Sequence, residues 1–182
     1  MKKITVIVLL TLVAASGALA QETPTVMQRP SPEHMKLAGF VGNWTTQGEV
    51  VESPLGPAEK WSGTIRSEWF AGGFAVVRHV DEKGSITADF HALDVITYDA
   101  SAKMYTWYNV DNQGWSGLLK GTFSGDAFTI AWEAQAKGKP YKLRGMAKWL
   151  GPDTLTYVSE YSEDGTIWKP LSRSTDIRVM SK

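Results

Sequence analysis

The chain has 182 residues, 19 basic and 19 acidic side chains, and no cysteine. Balanced charge without a basic block removes the electrostatic footprint of a nucleic-acid-binding surface. The absence of thiols excludes cysteine nucleophiles, iron–sulfur clusters, Cys-based zinc sites and a disulfide frame, so the fold must stand on its core.

The chain opens MKKITVIVLLTLVAASGALA. Lys2 and Lys3 precede an apolar run over residues 4–15, and Ala18-Leu19-Ala20 supplies the small-x-small pattern that signal peptidase accepts. The run is shorter than the ~20 residues a membrane-spanning helix needs. The pattern predicts a signal peptide over 1–20, a mature chain beginning at Gln21, and a periplasmic protein, with secretion as the alternative. No cysteine stands at the junction to carry a lipid anchor. The mature chain suits a single domain with a sizeable core, and it has no second stretch apolar enough to cross a membrane. Losing Lys2 and Lys3 leaves it slightly acidic.

Residues 21–30 are polar, contain prolines and lack periodicity, so they read as a flexible leader. SPEHMKLAGFVG then reads as a short helix. Ser31 is its N-cap, Pro32 its first position and Glu33 an acid in its first turn. Met35, Leu37 or Ala38, Phe40 and Val41 make an apolar stripe, and Gly42 ends it.

From Trp44 the composition turns to Val, Ile, Thr, Tyr, Phe and Trp in short runs broken by turn residues. Turns are predicted at SPLGP (53–57), AGG (71–73), EKGS (82–85), DASAK (99–103), DNQG (111–114), SGD (124–126), KGKP (137–140), GPD (151–153) and EDGT (163–166). They delimit about ten strands joined as successive hairpins. Asp164-Gly165 reads as a two-residue type I′ turn, which would set Ser159 opposite Pro170 and Glu160 opposite Lys169.

An up-and-down antiparallel sheet of ten strands is too long to stay open, and closure removes its edges. The expected fold is therefore all-β: an antiparallel barrel over 31–182 with the short helix plugging one end, or, as the alternative, a β-sandwich. In EKWSGTIRSEWF, Trp61, Ile65 and Trp69 share one face, and Lys60, Arg66 and Glu68 the other.

Gly42-Asn43-Trp44, a G-x-W following a short helix at the first strand, resembles the opening motif of the lipocalin/calycin barrels. That resemblance implies a structural Gly42 and a Trp44 closing the barrel floor, with Arg173 or Arg178 from the last strand over its ring. SPEHMKLAGFVGNWTTQGEV, GGFAVVRHV, ITYDASAKMYTWYNVDNQGW and SEYSEDGTIWKP are similar to the bacterial family 1579 of domains of unknown function. This wider resemblance implies a calycin-like fold and no particular chemistry.

Catalytic and metal chemistry find little support. A two-residue loop at Lys83-Gly84 would put His79 and His91 on opposite faces, and a three-residue loop would put them on one face ~13 Å apart. Neither makes a metal site. Haem is not expected, because calycin-like nitrobindins hold it through a late histidine, and here His34, His79 and His91 all fall in the first half. Gly114-Trp115-Ser116-Gly117-Leu118 lacks the second glycine of a nucleophile elbow.

The aromatics are the remaining signal. In MYTWYNVDNQGW, Tyr105, Trp107 and Asn109 share a strand face, joining flat apolar surface to an amide as a small-molecule cavity does. Arg144, Glu160 and Arg173 lie in the last strands, where fatty-acid-binding barrels resembling this one keep a carboxylate-binding arginine. The expected function is non-enzymatic binding of a small hydrophobic or amphipathic ligand, including an acid, with Tyr105, Trp107, Asn109, His79, His91, Arg144 and Arg173 as candidate contacts. The alternatives are a periplasmic enzyme using His79 or His91 with Asp89, and an envelope interaction module whose barrel is filled. Ligand identity, catalysis and oligomeric state are not readable from the sequence.

Overall fold

The computed structural model describes residues 29–84 and 89–180. The expected signal peptide at 1–20 lies outside the described residues, as does the leader up to residue 28. Ten antiparallel strands succeed one another in hairpins: β1 (Gly42–Val50), β2 (Glu59–Phe70), β3 (Ala75–Gly84), β4 (Phe90–Asp99), β5 (Met104–Asp111), β6 (Ser116–Ser124), β7 (Ala127–Ala136), β8 (Lys139–Gly151), β9 (Thr154–Ser162) and β10 (Lys169–Arg178). β10 pairs back onto β1, with Arg178 opposite Trp44, and the sheet closes into a barrel. Closure satisfies the ladder groups that an open edge would present.

Alternation drives the inside–outside division. In β8, Tyr141, Leu143, Gly145 and Ala147 are buried, while Lys142, Arg144, Met146 and Lys148 are exposed. Trp61, Ile65 and Trp69 of β2 point inward, as their spacing predicts, and Lys60, Arg66 and Glu68 point out.

The helical segment is tighter than expected. α1 (Pro32–Met35) is a single α-turn, and residues Lys36–Phe40 continue as a 3-10 helix. At three residues per turn, Leu37 and Phe40 fall on one face, and both are fully buried in the barrel end. Met35 falls off that face and is 51% exposed, so it is not part of the apolar stripe. The Ser31 N–H donates to His34 Nδ1 at 3.1 Å, tying down the first turn.

Below the helix the barrel is filled. The Phe40 ring meets Phe128 and Trp149 edge-on at 5.6 and 4.9 Å, and Tyr105 and Phe128 pack on Phe123 at 5.0 and 4.7 Å. Trp44 Nε1 donates to the Phe40 carbonyl at 3.0 Å, and Trp149 Nε1 to that of Gly39 at 3.2 Å, so both indoles satisfy the end of the helix. Gly42 has φ +135°, and a Cβ there would collide with the Arg178 guanidinium. Glycine is required on both counts.

Two registers differ from expectation. β3 runs through Gly84, so EKGS is mostly strand, and Glu82 pairs with Phe90. His79 then faces Leu93 and His91 faces Asp81, which places both histidines on the outer face. At the other end, Asp164 does not form a two-residue turn. Its Oδ1 accepts the N–H groups of Thr166 and Ile167 at 2.7 and 3.0 Å, building a wider loop. Lys169 therefore lies opposite Tyr161 and Pro170 opposite Glu160, and an irregularity between Pro170 and Ser172 brings Ser172 opposite Ser159. The two one-residue shifts offset each other at Arg173, which shares the outer face with Glu160.

Candidate functional site

Above the aromatic floor, the barrel contains a cavity of about 370 Å³ that reaches toward the end opposite the helix. Trp61, Phe90, Trp107, Trp115, Trp132 and Tyr157 give it aromatic walls, and Ile65, Val80, Leu119 and Leu155 fill between them. Glycines make room for the larger rings. The Trp61 indole abuts Gly48, where a Cβ would collide with the ring and with the Arg173 carbonyl.

Two rows of polar side chains cross this apolar surface. In the first, strand register sets Ser67, Arg78, Asp94 and Asn109 side by side on β2, β3, β4 and β5. Arg78 and Asp94 are buried, with Nη1 3.6 Å from Oδ2, and Asn109 Nδ2 donates to Asp94 Oδ1 at 2.6 Å. The Arg78 guanidinium lies 4.9 Å from the Trp107 ring centre and 5.5 Å from that of Phe40. Salt bridge, amide and rings together compensate a charge that burial alone would make costly.

The second row runs Asp176, Thr46, Gly63 and Glu82 across β10, β1, β2 and β3. A Cβ at Gly63 would collide with the Asp81 carbonyl and with the Glu82 backbone and Cγ. Burial, then the negative charge of Asp176, pushes the Glu82 carboxyl up to about 7, against the opposing pull of Arg78. Burial likewise raises Asp176, which Arg78 and a hydrogen bond with Thr46 partly offset. Asp176 Oδ1 is buried without a partner. After Arg78, the Trp61 indole N–H also favours the Glu82 carboxylate, yet it completes no hydrogen bond within normal geometry.

The structure divides the sequence candidates. Trp107 and Asn109 line the cavity. Tyr105 faces inward but sits in the floor, its hydroxyl within 2.8 Å of both the Glu33 carbonyl and carboxylate oxygens, and burial raises its pKa. His79, His91, Arg144 and Arg173 are not brought to the cavity. His91 pairs with Asp81 at 2.7 Å on the outer surface, Arg144 with Glu160 at 2.6 Å, and Arg173 with Glu49 at 2.7 Å. Arg144 also covers the Trp168 ring at 4.2 Å. Among the described residues, no three His, Asp or Glu side chains converge as metal ligands, and no helix is long and apolar enough to cross a membrane.

Arg78, Asp94, Glu82 and Asp176 are absent from the sequence candidates. The signal available for the first two was the alternation Val76-x-Arg78-x-Val80 and Ala92-x-Asp94-x-Ile96, which places an ionisable residue on the apolar face of each strand.

The barrel resembles solved structures at low identity. Rv2717c from M. tuberculosis aligns with a TM-score of 0.61 and 11% identity, over 83% of this chain and 99% of that one. A de novo designed fluorescence-activating β-barrel gives a TM-score of 0.45 and 10% identity, over 78% and 95% of the two chains. EF1p2_mFAP2b bound to DFHBI also gives 0.45 and 10%, over 80% and 98%. No curated protein matches the chain. The sequence profile of DUF1579, described as a protein of unknown function, matches residues 29–175, and the chain belongs to this family.

Proposed function

We propose that this chain is an exported, periplasmic, non-enzymatic binding protein that takes a small amphipathic ligand into the barrel. The observation that carries the reading is the cavity itself: about 370 Å³, walled by aromatic rings and crossed by a few oriented polar groups. Ligand sites combine apolar area with a small number of convergent polar groups in this way. Phe40 and the aromatic floor close the cavity on the side of the helix. Export rests on Lys2, Lys3, the apolar run and Ala18-Leu19-Ala20. His79 and His91 lie on the outer surface, away from this volume, and supply it with no acid–base pair.

A neutral apolar dye, N-phenyl-1-naphthylamine, tests the reading. Its fluorescence should rise on mixing with the wild-type protein. Ala92→Trp, which adds a ring at a cavity-wall position, should abolish that rise while the protein remains folded. Equal dye binding by both proteins, or none by either, would overturn the reading.

A further inference from the structure

The cavity's charges are unequal in a way that selects a ligand class. Among the described residues, Arg78 is the single cation on its lining, against Glu82, Asp94, Asp111 and Asp176. Two of these acids are already occupied. Asp94 is held by Arg78 and Asn109. Asp111 Oδ1 accepts the N–H groups of Gln113 and Trp115, each at 2.9 Å, and serves its own turn. Among the described residues, Asp176 and Glu82 make no salt bridge, and each feels Arg78 only through its longer-range charge.

Asp176 is 6% exposed, lines the cavity, and keeps one carboxylate oxygen buried without a donor. A buried acceptor left unmatched costs about 1–3 kcal/mol, more when it is charged. The nearby surface is aromatic: Trp61 is on β2 between the strands that carry Thr46 and Glu82, and Tyr157 is the register neighbour of Ser174 on β10. Carboxylates beside indole and phenol faces are the chemistry that recognises an ammonium group.

We infer that the cavity binds an organic cation, a protonated amine or quaternary ammonium on an apolar body, with the charged end at Asp176 and Glu82 and the body against Trp61 and Trp107. This rests on the cavity-binding reading and reverses the expectation of an acidic ligand. The interior arginine that an acid would need is Arg78, and Asp94 already neutralises it.

The charged and titratable neighbours of Glu82 are Asp176 from β10, Asp94 from β4 and Arg78 from its own strand, with the Trp61 N–H from β2. Lowering the pH protonates the carboxylate and removes attraction for a cation. A permanently charged probe therefore reports the protein's titration and not its own.

The test is displacement of N-phenyl-1-naphthylamine by three probes of similar shape: benzyltrimethylammonium, 3-phenylpropanoate and 3-phenylpropan-1-ol. At pH 8 the cation should displace the dye at concentrations about tenfold lower than either other probe. Asp176→Asn and Glu82→Gln should each weaken the cation about fivefold or more and leave the alcohol unchanged. Cation affinity should fall from pH 8 to 5.5 in the wild type, and Glu82→Gln should flatten that fall. Thermal melts establish that each variant is folded. Tighter binding of 3-phenylpropanoate, or a cation affinity indifferent to both substitutions, overturns the inference and leaves cavity binding intact. Failure of the dye to bind overturns both readings together.

Discussion

The guanidinium of Arg178 lies 4.0 Å from the centre of the Trp44 ring, joining the last strand to the first across the barrel closure. The same side chain donates to the Val41 carbonyl through Nη1 and to that of Gly39 through Nη2, and it pairs with Asp153 at 3.3 Å. One arginine thus fastens the helix end, the first strand and the β8–β9 turn. Trp44→Ala should cost about 3–5 kcal/mol, because the ring is 3% exposed and leaves a cavity. Arg178→Ala should cost about 1–3 kcal/mol from the lost ring contact and carbonyl bonds. Urea denaturation of both variants measures this, and a loss under about 1 kcal/mol for Trp44→Ala contradicts its role as the barrel floor.

Arg78 and Asp94 depend on each other. Arg78→Met should destabilise the protein by about 3–5 kcal/mol, because it leaves a buried carboxylate unpaired. Adding Asp94→Asn should recover most of that loss. A double-mutant cycle by chemical denaturation reads the coupling, and strict additivity would mean the pair is not interacting.

Glu82 makes stability depend on pH in the direction opposite to a salt-bridged acid. Its folded-state pKa is raised from 4.5 to about 7. Between those values the native state holds a proton that the unfolded chain has released, so stability falls as pH rises. Above 7 the full destabilisation is present. Glu82→Gln should therefore raise stability at pH 8 by about 2 kcal/mol and reduce the slope between pH 5 and 7. Part of the slope should remain, since Asp176 is shifted the same way. Melting temperatures across this range decide it, and an unchanged profile in Glu82→Gln removes Glu82 as the source.

The outer arginines should behave as surface groups. Arg144→Ala and Arg173→Ala are expected to change stability by less than about 1 kcal/mol each. Neither should alter displacement of N-phenyl-1-naphthylamine by benzyltrimethylammonium. A large loss of binding in Arg173→Ala would move the ligand to the outer face.

Turn residues and strand composition made the barrel legible in the sequence, and Gly42-x-Trp44 with a late arginine made its closure legible. The site was legible only in part, because a face assignment depends on register. Trp107 and Asn109 could be paired by spacing within one strand, and both reach the cavity. Placing His79 with His91 required a hairpin loop length that turn residues alone do not give. In the last hairpin the Asp164 loop shifts Lys169 and Pro170 by one residue, which exchanges inside for outside. The irregularity at Pro170–Ser172 shifts the strand once more and restores the face of Arg173. The interior acids were hidden for another reason. Charged residues usually lie outside, and only the four-strand row from Asp176 to Glu82 reveals that these do not.

The central claim is that the barrel carries a small molecule, and native mass spectrometry of protein purified without denaturation from its own cells tests it most directly. The account predicts a discrete added mass on the wild type that is released by denaturation and absent from Ala92→Trp. A bare polypeptide mass for the wild type that persists after incubation with benzyltrimethylammonium and 3-phenylpropan-1-ol, or an added mass equal in both proteins, would contradict it.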